Sequence, residues 1–311
     1  MSVVRYDPVP VTAARAHLGE SPRWDARWNQ LLWVDIEAGR LFREEVGADL
    51  ELRRVRTYEV GLPVGSYAPI EGAEGWILAA GSGFAYLQSD GTVTLLDQPD
   101  GGKNNRMNDA VCDPQGRFWG GTIAHDLSPG AGTLYRLDRD GTICAMVNDL
   151  TCSNGIGWTP DGTTMYLVDS TPRVLYTFDF DGRTGDIDNQ QVVLQLEGNE
   201  GVPDGLIVDD EGCLWIGVYG GWEVHRYTPD LRLLERIRLP VRQVTACCFG
   251  GVDRRTLFVT TARENFTEAD AAAQPLAGAV FAAPTSVRGP PAQPYRPAPG
   301  VLTAWRRAAR G

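Results

Sequence analysis

Three side chains that could bind a metal ion are spread over most of this chain of 311 residues. They are Glu20 in Gly-Glu-Ser-Pro, Asn154 in Ser-Asn-Gly and Asp204 in Pro-Asp-Gly. Carboxylate and amide oxygens are the ligands that hard divalent cations such as Ca²⁺, Mg²⁺ and Mn²⁺ prefer, and Zn²⁺ also accepts them. Three protein ligands would leave positions open for water and a substrate, as a catalytic metal requires.

Equivalent positions recur along the chain at a spacing that could bring these ligands together. Ser66, Asn108 and Thr245 complete the set, and the gaps between successive members (20, 66, 108, 154, 204 and 245) are 46, 42, 46, 50 and 41 residues. A period of this size with strand-type patterning is typical of a β-propeller, in which each repeat is one four-stranded blade. Corresponding residues of successive blades point into one central channel, where we expect the metal site.

Short runs of β-branched and aromatic residues follow the recurring positions, as in residues 31–35, 117–121 and 213–217. Asp-Gly pairs such as Asp140-Gly141 add hairpin signals. Six units of about 45 residues fit the length, and helical periodicity longer than two turns is absent. The sequence therefore predicts an all-β, six-bladed propeller over residues 1–290, followed by a tail at 291–311 that contains proline and arginine.

Two segments depart from the repeat. The polar, alanine-rich insertion at about 264–275 predicts a loop or a short helix at a channel mouth. The short basic end, residues 304–311, is predicted to be frayed.

Charge and composition exclude several classes of partner. The chain has 29 basic and 40 acidic residues, a net charge of −11, and no Lys/Arg cluster within its body, so we expect neither a nucleic-acid nor a membrane partner. No apolar run approaches the roughly 18–20 residues that span a bilayer, and the first residues lack signal-peptide features. We therefore expect a cytoplasmic protein. The six cysteines form no Cys-x-x-Cys pair, which predicts reduced, mostly buried thiols.

Some candidate residues have a second interpretation. Taken singly, Asn154-Gly155 and Asp204-Gly205 are typical of turns, but they precede strands, whereas the hairpin Asp-Gly pairs follow strands. Asp109 could bind a second cation, brace Arg106 or cap a turn. Three further side chains could line a pocket mouth or pack between strands, namely Tyr219, Trp222 and Arg263.

Five segments, in order, resemble the regucalcin/gluconolactonase family, also called senescence marker protein and luciferin-regenerating enzyme. They are Gly19-Glu20-Ser21-Pro22-x-Trp24, Arg106-Met-Asn108-Asp109, Asp113-x-x-Gly116-Arg117-x-Trp119-x-Gly121-Thr122, Ser153-Asn154-Gly155 and Pro203-Asp204-Gly205. The similarity extends from about residue 15 to residue 285.

The resemblance implies a six-bladed propeller with one divalent cation (Ca²⁺, Zn²⁺, Mg²⁺ or Mn²⁺) bound by Glu20, Asn154 and Asp204. It also implies that Arg106 and Asn108 bind a sugar-like substrate, together with an acidic residue near position 126. This chain has His125-Asp126 there, a shorter carboxylate than the Glu-type residue of the family, and this departure bears on substrate identity.

These observations favour a metal-dependent lactonase that hydrolyses a sugar (aldono-) lactone, as a monomer or a small homo-oligomer. Asp204 is the candidate general base, because one carboxylate oxygen can bind the metal while the other accepts a proton. The alternatives are a non-catalytic Ca²⁺-binding regulatory propeller and an organophosphatase or aryl-esterase. Arg106 and Asn108 favour the enzyme, since a purely cation-binding protein needs neither.

Overall fold

The computed structural model describes residues 6–198 and 201–308, and the strands of these residues form six four-stranded antiparallel sheets. Blade 1 contains β2 (Gly19–Asp25), β3 (Gln30–Asp35), β4 (Arg40–Val46) and β5 (Leu52–Glu59). Blade 2 contains β6 (Val64–Pro69), β7 (Gly75–Ala80), β8 (Gly83–Gln88) and β9 (Val93–Leu95). Blade 3 contains β10 (Asn105–Cys112), β11 (Phe118–Ala124), β12 (Gly132–Leu137) and β13 (Ile143–Leu150).

The second half of the chain repeats this unit and then closes the ring. Blade 4 contains β14 (Ser153–Trp158), β15 (Thr164–Asp169), β16 (Val174–Phe180) and β17 (Ile187–Gln195). Blade 5 contains β18 (Val202–Val208), β19 (Leu214–Tyr219), β20 (Glu223–Tyr227) and β21 (Leu233–Arg238). Blade 6 combines β22 (Val244–Gly250), β23 (Thr256–Thr261) and β24 (Phe281–Pro284) with the N-terminal β1 (Val9–Pro10). The predicted six-bladed propeller is thus confirmed.

The first strand of each blade faces the central axis, where it contacts the first strands of its neighbours. The second strands carry large buried side chains, including Trp33, Trp119 and Trp215, which pack in the core. Their indole N–H groups donate to buried carboxylates, Glu44 for Trp33 at 2.7 Å and Asp209 for Trp215 at 2.9 Å. These tryptophans therefore pack in the core while their polar edge is satisfied within the same blade.

The insertion in blade 6 forms a short helix, α1 (Glu268–Ala273), one of the two structures predicted for it. Thr267 caps this helix, and Asp270 donates its backbone N–H to the Thr267 hydroxyl at 3.1 Å. The capping box satisfies backbone donors that a short exposed helix would otherwise leave unpaired.

The C-terminal segment differs from the predicted frayed end. Residues 301–308 form the helix α2 (Val301–Ala308), while 309–311 lie outside the described residues. Trp305 stacks on Tyr295 with 5.8 Å between ring centroids, and Tyr295 is fully buried. Tyr295 also donates its backbone N–H to the Pro69 carbonyl of blade 2 at 2.8 Å. Apolar stacking therefore orders a segment whose composition is typical of a free tail.

All six cysteines lie in the described parts of the chain and are free thiols, as predicted. Neither helix of the described residues is long and apolar enough to cross a membrane.

Candidate metal centre and substrate pocket

The pairing of each innermost strand is interrupted at the recurring position. In β2 the register shifts between Glu20 and Arg23, and equivalent shifts occur in the other five inner strands of the described blades. Ser21, directly after Glu20, has a φ of 47°. A β-bulge re-aims side chains and ends pairing locally. Because a bulge recurs at each of these positions, the side chains there need not follow the alternation between the two faces of a regular strand.

The three predicted ligands are buried near the start of their strands. The exposed fractions are 5% for Glu20, 7% for Asn154 and 5% for Asp204. Burial, and next the carboxylate of Asp109, raises the pKa of Glu20 to about 8. Burial and then the charge of Glu20 raise the pKa of Asp204 well above its ordinary value. The structure thus brings Glu20 and Asp204 close enough for strong repulsion between their charged forms.

Asn154 is held by residues that the sequence did not single out as part of a site. Its side-chain Nδ2 donates to the hydroxyl of Ser170 at 3.0 Å, and its Oδ1 accepts no hydrogen bond from any described residue. Asp169 accepts the backbone N–H groups of Thr151 and Cys152 at 3.0 and 2.8 Å. This clamp fixes the chain directly before β14.

Blade 1 repeats the clamp. Asp35, at the end of β3, accepts the backbone N–H groups of His17 and Leu18 at 2.9 and 3.1 Å. The chain that leads to Glu20 is thereby fixed in the way that Asp169 fixes the chain leading to Asn154. The two clamps share a signal in the sequence that could have identified them. In both, a carboxylate at the end of the second strand follows the candidate ligand by 15 residues (20 to 35, 154 to 169).

The donor set fits a hard divalent cation. Asp204 Oδ1 is buried and has no hydrogen-bond partner among the described residues. Glu20 accepts one backbone hydrogen bond, from Ser21 at 2.7 Å. Two buried carboxylates and an unpaired amide oxygen supply oxygen ligands and two negative charges, which match a Ca²⁺-, Mg²⁺- or Mn²⁺-like ion and are also compatible with Zn²⁺.

Asp109 lies close to these residues, because after burial its carboxylate contributes to the raised pKa values of both Glu20 and Asp204. Its Oδ1 accepts the backbone N–H of Ala110 at 2.8 Å and the hydroxyl of Ser21 at 3.4 Å. Burial raises the pKa of Asp109, and the nearby Arg23 opposes this shift. Asp109 makes no hydrogen bond to Arg106 among the described contacts. Its hydrogen bond to the backbone N–H of Ala110 resembles that of a residue that caps a turn more than that of a residue that braces Arg106.

Arg106 is fixed by neighbours from blades 1 and 3. Its Nη1 donates to Asn108 Oδ1 at 2.8 Å and to the Met107 carbonyl at 3.1 Å. Its Nε lies 3.5 Å from Glu37 Oε1. Asn108 in turn donates through Nδ2 to the Ser153 carbonyl of blade 4 at 2.9 Å. Both ends of the Asn108 amide are thus engaged, which gives Asn108 a supporting role that the resemblance did not indicate.

Asp126 and Tyr219, two further candidates from the sequence, differ in their surroundings. Asp126 is exposed, and hydrogen bonds from the side chain and backbone of Ser128 lower its pKa. The structure joins it to neither Arg106 nor Asn108 through a hydrogen bond, so its contact with a substrate stays a prediction. The Tyr219 hydroxyl donates to Glu264 Oε2 at 3.2 Å. Burial, and after it the carboxylates of Glu264 and Asp204, raise the pKa of Tyr219. Tyr219 also packs against the apolar cluster that contains Leu18 and Ala262, so its place at a pocket mouth stays a prediction.

A second group of possible ligands on blade 5 has a structural explanation. Asp209, Glu211 and Cys213 approach one another within metal-binding distance. Arg226, however, donates to Asp209 and Glu211 at 2.9 and 2.8 Å. The guanidinium balances the acidic charge of this cluster, so the channel carboxylates form the stronger candidate for a cation site.

The fold and the buried carboxylates place this chain in the class of six-bladed β-propellers with an acidic centre in the channel. Sequence comparison identifies the family. Residues 18–263 match the SMP-30/gluconolactonase/LRE-like region, and the chain belongs to this family. Regucalcin of Gallus gallus is 35% identical, over 92% of this chain and 97% of the relative. A 6-deoxy-6-sulfogluconolactonase of Pseudomonas putida is 37% identical, over 88% and 92% of the two chains.

The solved structures agree with this assignment. The crystal structure of a calcium-binding regucalcin from Agrobacterium tumefaciens superposes with a TM-score of 0.89 at 27% identity, covering 95% of this chain and 99% of the other. The family predicted from the five motifs is confirmed, and so is the propeller.

Proposed function

We propose that this protein is a divalent-metal-dependent lactonase that hydrolyses a sugar lactone to the aldonic acid. The observation that carries the proposal is the buried pair of Glu20 and Asp204, with an unpartnered oxygen on Asp204, in a channel that also contains the fixed Arg106. The lactonase of Pseudomonas putida among the relatives supports it. The proposed setting is a cytoplasmic protein, monomeric or a small homo-oligomer, with a small-molecule substrate.

Glu20, Asn154 and Asp204 would hold the cation, which is Ca²⁺, Zn²⁺, Mg²⁺ or Mn²⁺. When bound, it supplies a Lewis acid that polarises the lactone carbonyl. Asn108 and Glu37 hold Arg106 in a fixed orientation in the substrate pocket before a ligand binds. The N–H groups of Arg106 that remain free donate to ring hydroxyls of the lactone. Such orientation reduces the entropy that must be lost on reaching the reactive geometry.

Asp204 is the proposed proton acceptor. Its Oδ1 is buried and has no hydrogen-bond partner among the described residues, so Asp204 has a carboxylate oxygen that can accept a proton. A carboxylate oxygen of Asp204 takes a proton from the attacking water, whose oxygen bonds to the carbonyl carbon. As the ring C–O bond breaks, Asp204 returns that proton to the ring oxygen, which gives the open hydroxy acid. Asp126 is proposed to contact a distal hydroxyl of the substrate.

The test is a panel of aldono-lactones of five and six carbons, assayed after chelation and after each metal is added back. We expect hydrolysis that disappears on chelation and returns with at least one divalent metal. Metal content should fall in the Glu20→Ala, Asp204→Ala double variant. If the wild-type protein hydrolyses no lactone with any metal, the lactonase proposal is wrong.

A second candidate is a non-catalytic calcium-binding propeller, which the calcium-binding regucalcin structure favours. It would use the same ligands, and Ca²⁺ would raise thermal stability without any turnover on the panel. Adding an aryl ester and a phosphotriester to the panel tests the organophosphatase or aryl-esterase alternative at the same site.

A further inference from the structure

Glu37 lies at the channel mouth although no motif identifies it. Gly19 pairs with Asp35, so the turn of residues 36–39 adjoins the start of β2 and the candidate ligand Glu20. From this turn Glu37 Oε1 reaches within 3.5 Å of Arg106 Nε on blade 3. Its side chain is 42% exposed, whereas that of Arg106 is 11% exposed. Glu37 is therefore accessible to solvent and to a ligand that approaches Arg106.

The charge of Arg106 is already balanced before any ligand binds. Glu37 faces Nε, and Nη1 donates to Asn108 and to the Met107 carbonyl. Nη2 has no hydrogen-bond partner in residues 6–198 and 201–308, which leaves donors for a ligand. A neutral hydroxyl needs only such a donor. An anionic substituent also gains from an unpaired positive charge, which Arg106 does not offer here.

A second acidic side chain, Glu264, also acts on the channel. Glu264 raises the pKa of Asp204, so its carboxylate also acts electrostatically on the centre of the channel. A divalent cation would balance Glu20 and Asp204, which leaves Glu37 facing the single charge of Arg106. A sulfonate or carboxylate placed beside Arg106 would be repelled by Glu37.

We propose that Glu37 is a specificity-determining residue that restricts the site to lactones without an anionic substituent. The inference rests on the lactonase function proposed above and narrows its substrate class to uncharged polyhydroxy lactones. The Pseudomonas putida relative, which its name assigns to a sulfonated gluconolactone, provides the contrasting substrate.

The experiment compares D-glucono-1,5-lactone with its 6-deoxy-6-sulfo analogue, because the two share a ring and differ in charge. Both are assayed with the metal-loaded wild type and with Glu37→Gln, which keeps a hydrogen-bond acceptor but removes the charge. Glu59→Gln is the matched control, since Glu59 is an exposed partner of Arg40 at 3.0 Å on the outer strand of the same blade.

We expect the wild type to prefer the neutral lactone, and Glu37→Gln to reduce that preference in kcat/KM by roughly three- to tenfold, as for one partly exposed charge. The change should appear mainly in the KM of the sulfonated substrate and shrink at high salt. Glu59→Gln should leave the preference unchanged. If Glu37→Gln hydrolyses the neutral lactone with an unaltered preference, the inference is wrong while the lactonase proposal stands. If neither lactone is hydrolysed by the wild type, both are wrong.

Discussion

Ser170 holds the side-chain amide of Asn154 through a hydrogen bond of 3.0 Å between Asn154 Nδ2 and Ser170 Oγ. The two residues lie on neighbouring strand ends of blade 4, and Ser170 is buried. The bond fixes which end of the amide is free, because the nitrogen is engaged and the oxygen is not. Ser170 therefore pre-organises a candidate metal ligand without itself supplying one.

Ser170→Ala should weaken metal binding while leaving the fold intact. Loss of a residue that orients a ligand typically lowers metal affinity by about 10- to 100-fold, and we expect the lower part of that range because two carboxylates remain. Titration with a metal-sensitive dye measures the affinity. Ser286→Ala, at an exposed position of blade 6, is the control. Equal affinities in the two variants would show that Asn154 does not need this support.

Arg106→Ala should impair turnover without changing metal content. Arg106 donates to the substrate in the proposed complex, and loss of a charged donor costs on the order of 1.5–3 kcal/mol, or roughly ten- to a hundredfold in kcat/KM. Steady-state kinetics on neutral lactones and metal analysis of the same preparation measure the two effects. Arg40→Ala, which removes an exposed arginine paired with Glu59, should resemble the wild type. Wild-type kinetics in Arg106→Ala would mean that the substrate binds elsewhere.

Asp100 gives the stability of the protein a pH dependence that is separate from the metal centre. Its buried carboxylate accepts hydrogen bonds from Lys103 at 2.8 Å, Asn105 at 2.6 Å and the Tyr135 hydroxyl. Burial alone would raise the pKa of Asp100, but these donors outweigh it and lower the pKa. The folded-state pKa is therefore below the unfolded-state value, so the stabilisation is complete above that value and is lost as the pH falls through the folded-state pKa.

Asp100→Asn should accordingly destabilise the protein at neutral pH, by on the order of 1–3 kcal/mol for the loss of charged hydrogen bonds in a buried site. The difference from the wild type should shrink as the pH is lowered below about 4. Urea unfolding at several pH values measures it, with the exposed Asp97→Asn as the control. A difference that stays constant with pH would contradict the assignment.

The sequence predicts the repeat better than it predicts the side-chain contacts between repeats. Glu20, Asn154 and Asp204 stand out because they recur at one position of a periodic pattern, and that pattern also defines the blades. Ser170 and Glu37 have no such signal, because their roles depend on contacts that exist only after the strands pair and the blades close into a ring. The end of the chain was mispredicted for the same reason, since Trp305 is ordered by Tyr295 and not by its own neighbours in sequence.

Asp204→Asn separates a catalytic role of Asp204 from a purely ligating one. The substitution keeps an oxygen ligand and nearly the same volume, but removes the charge and the basic oxygen. If Asp204 is the proton acceptor, kcat should fall by about 10²–10⁴, the usual contribution of a general base, and saturating metal should not restore it. Glu20→Gln is the matched comparison, because Glu20 is proposed only as a ligand.

We expect Glu20→Gln to bind metal more weakly and to recover its activity as the metal concentration is raised. Metal titrations that follow kcat and bound metal in parallel distinguish the two variants. Should Asp204→Asn also recover fully at high metal, Asp204 would be a ligand alone and the proton would have to pass to another group. Glu264 would then be the next acceptor to test, since its carboxylate contributes to the raised pKa of Asp204 and accepts a hydrogen bond from Tyr219.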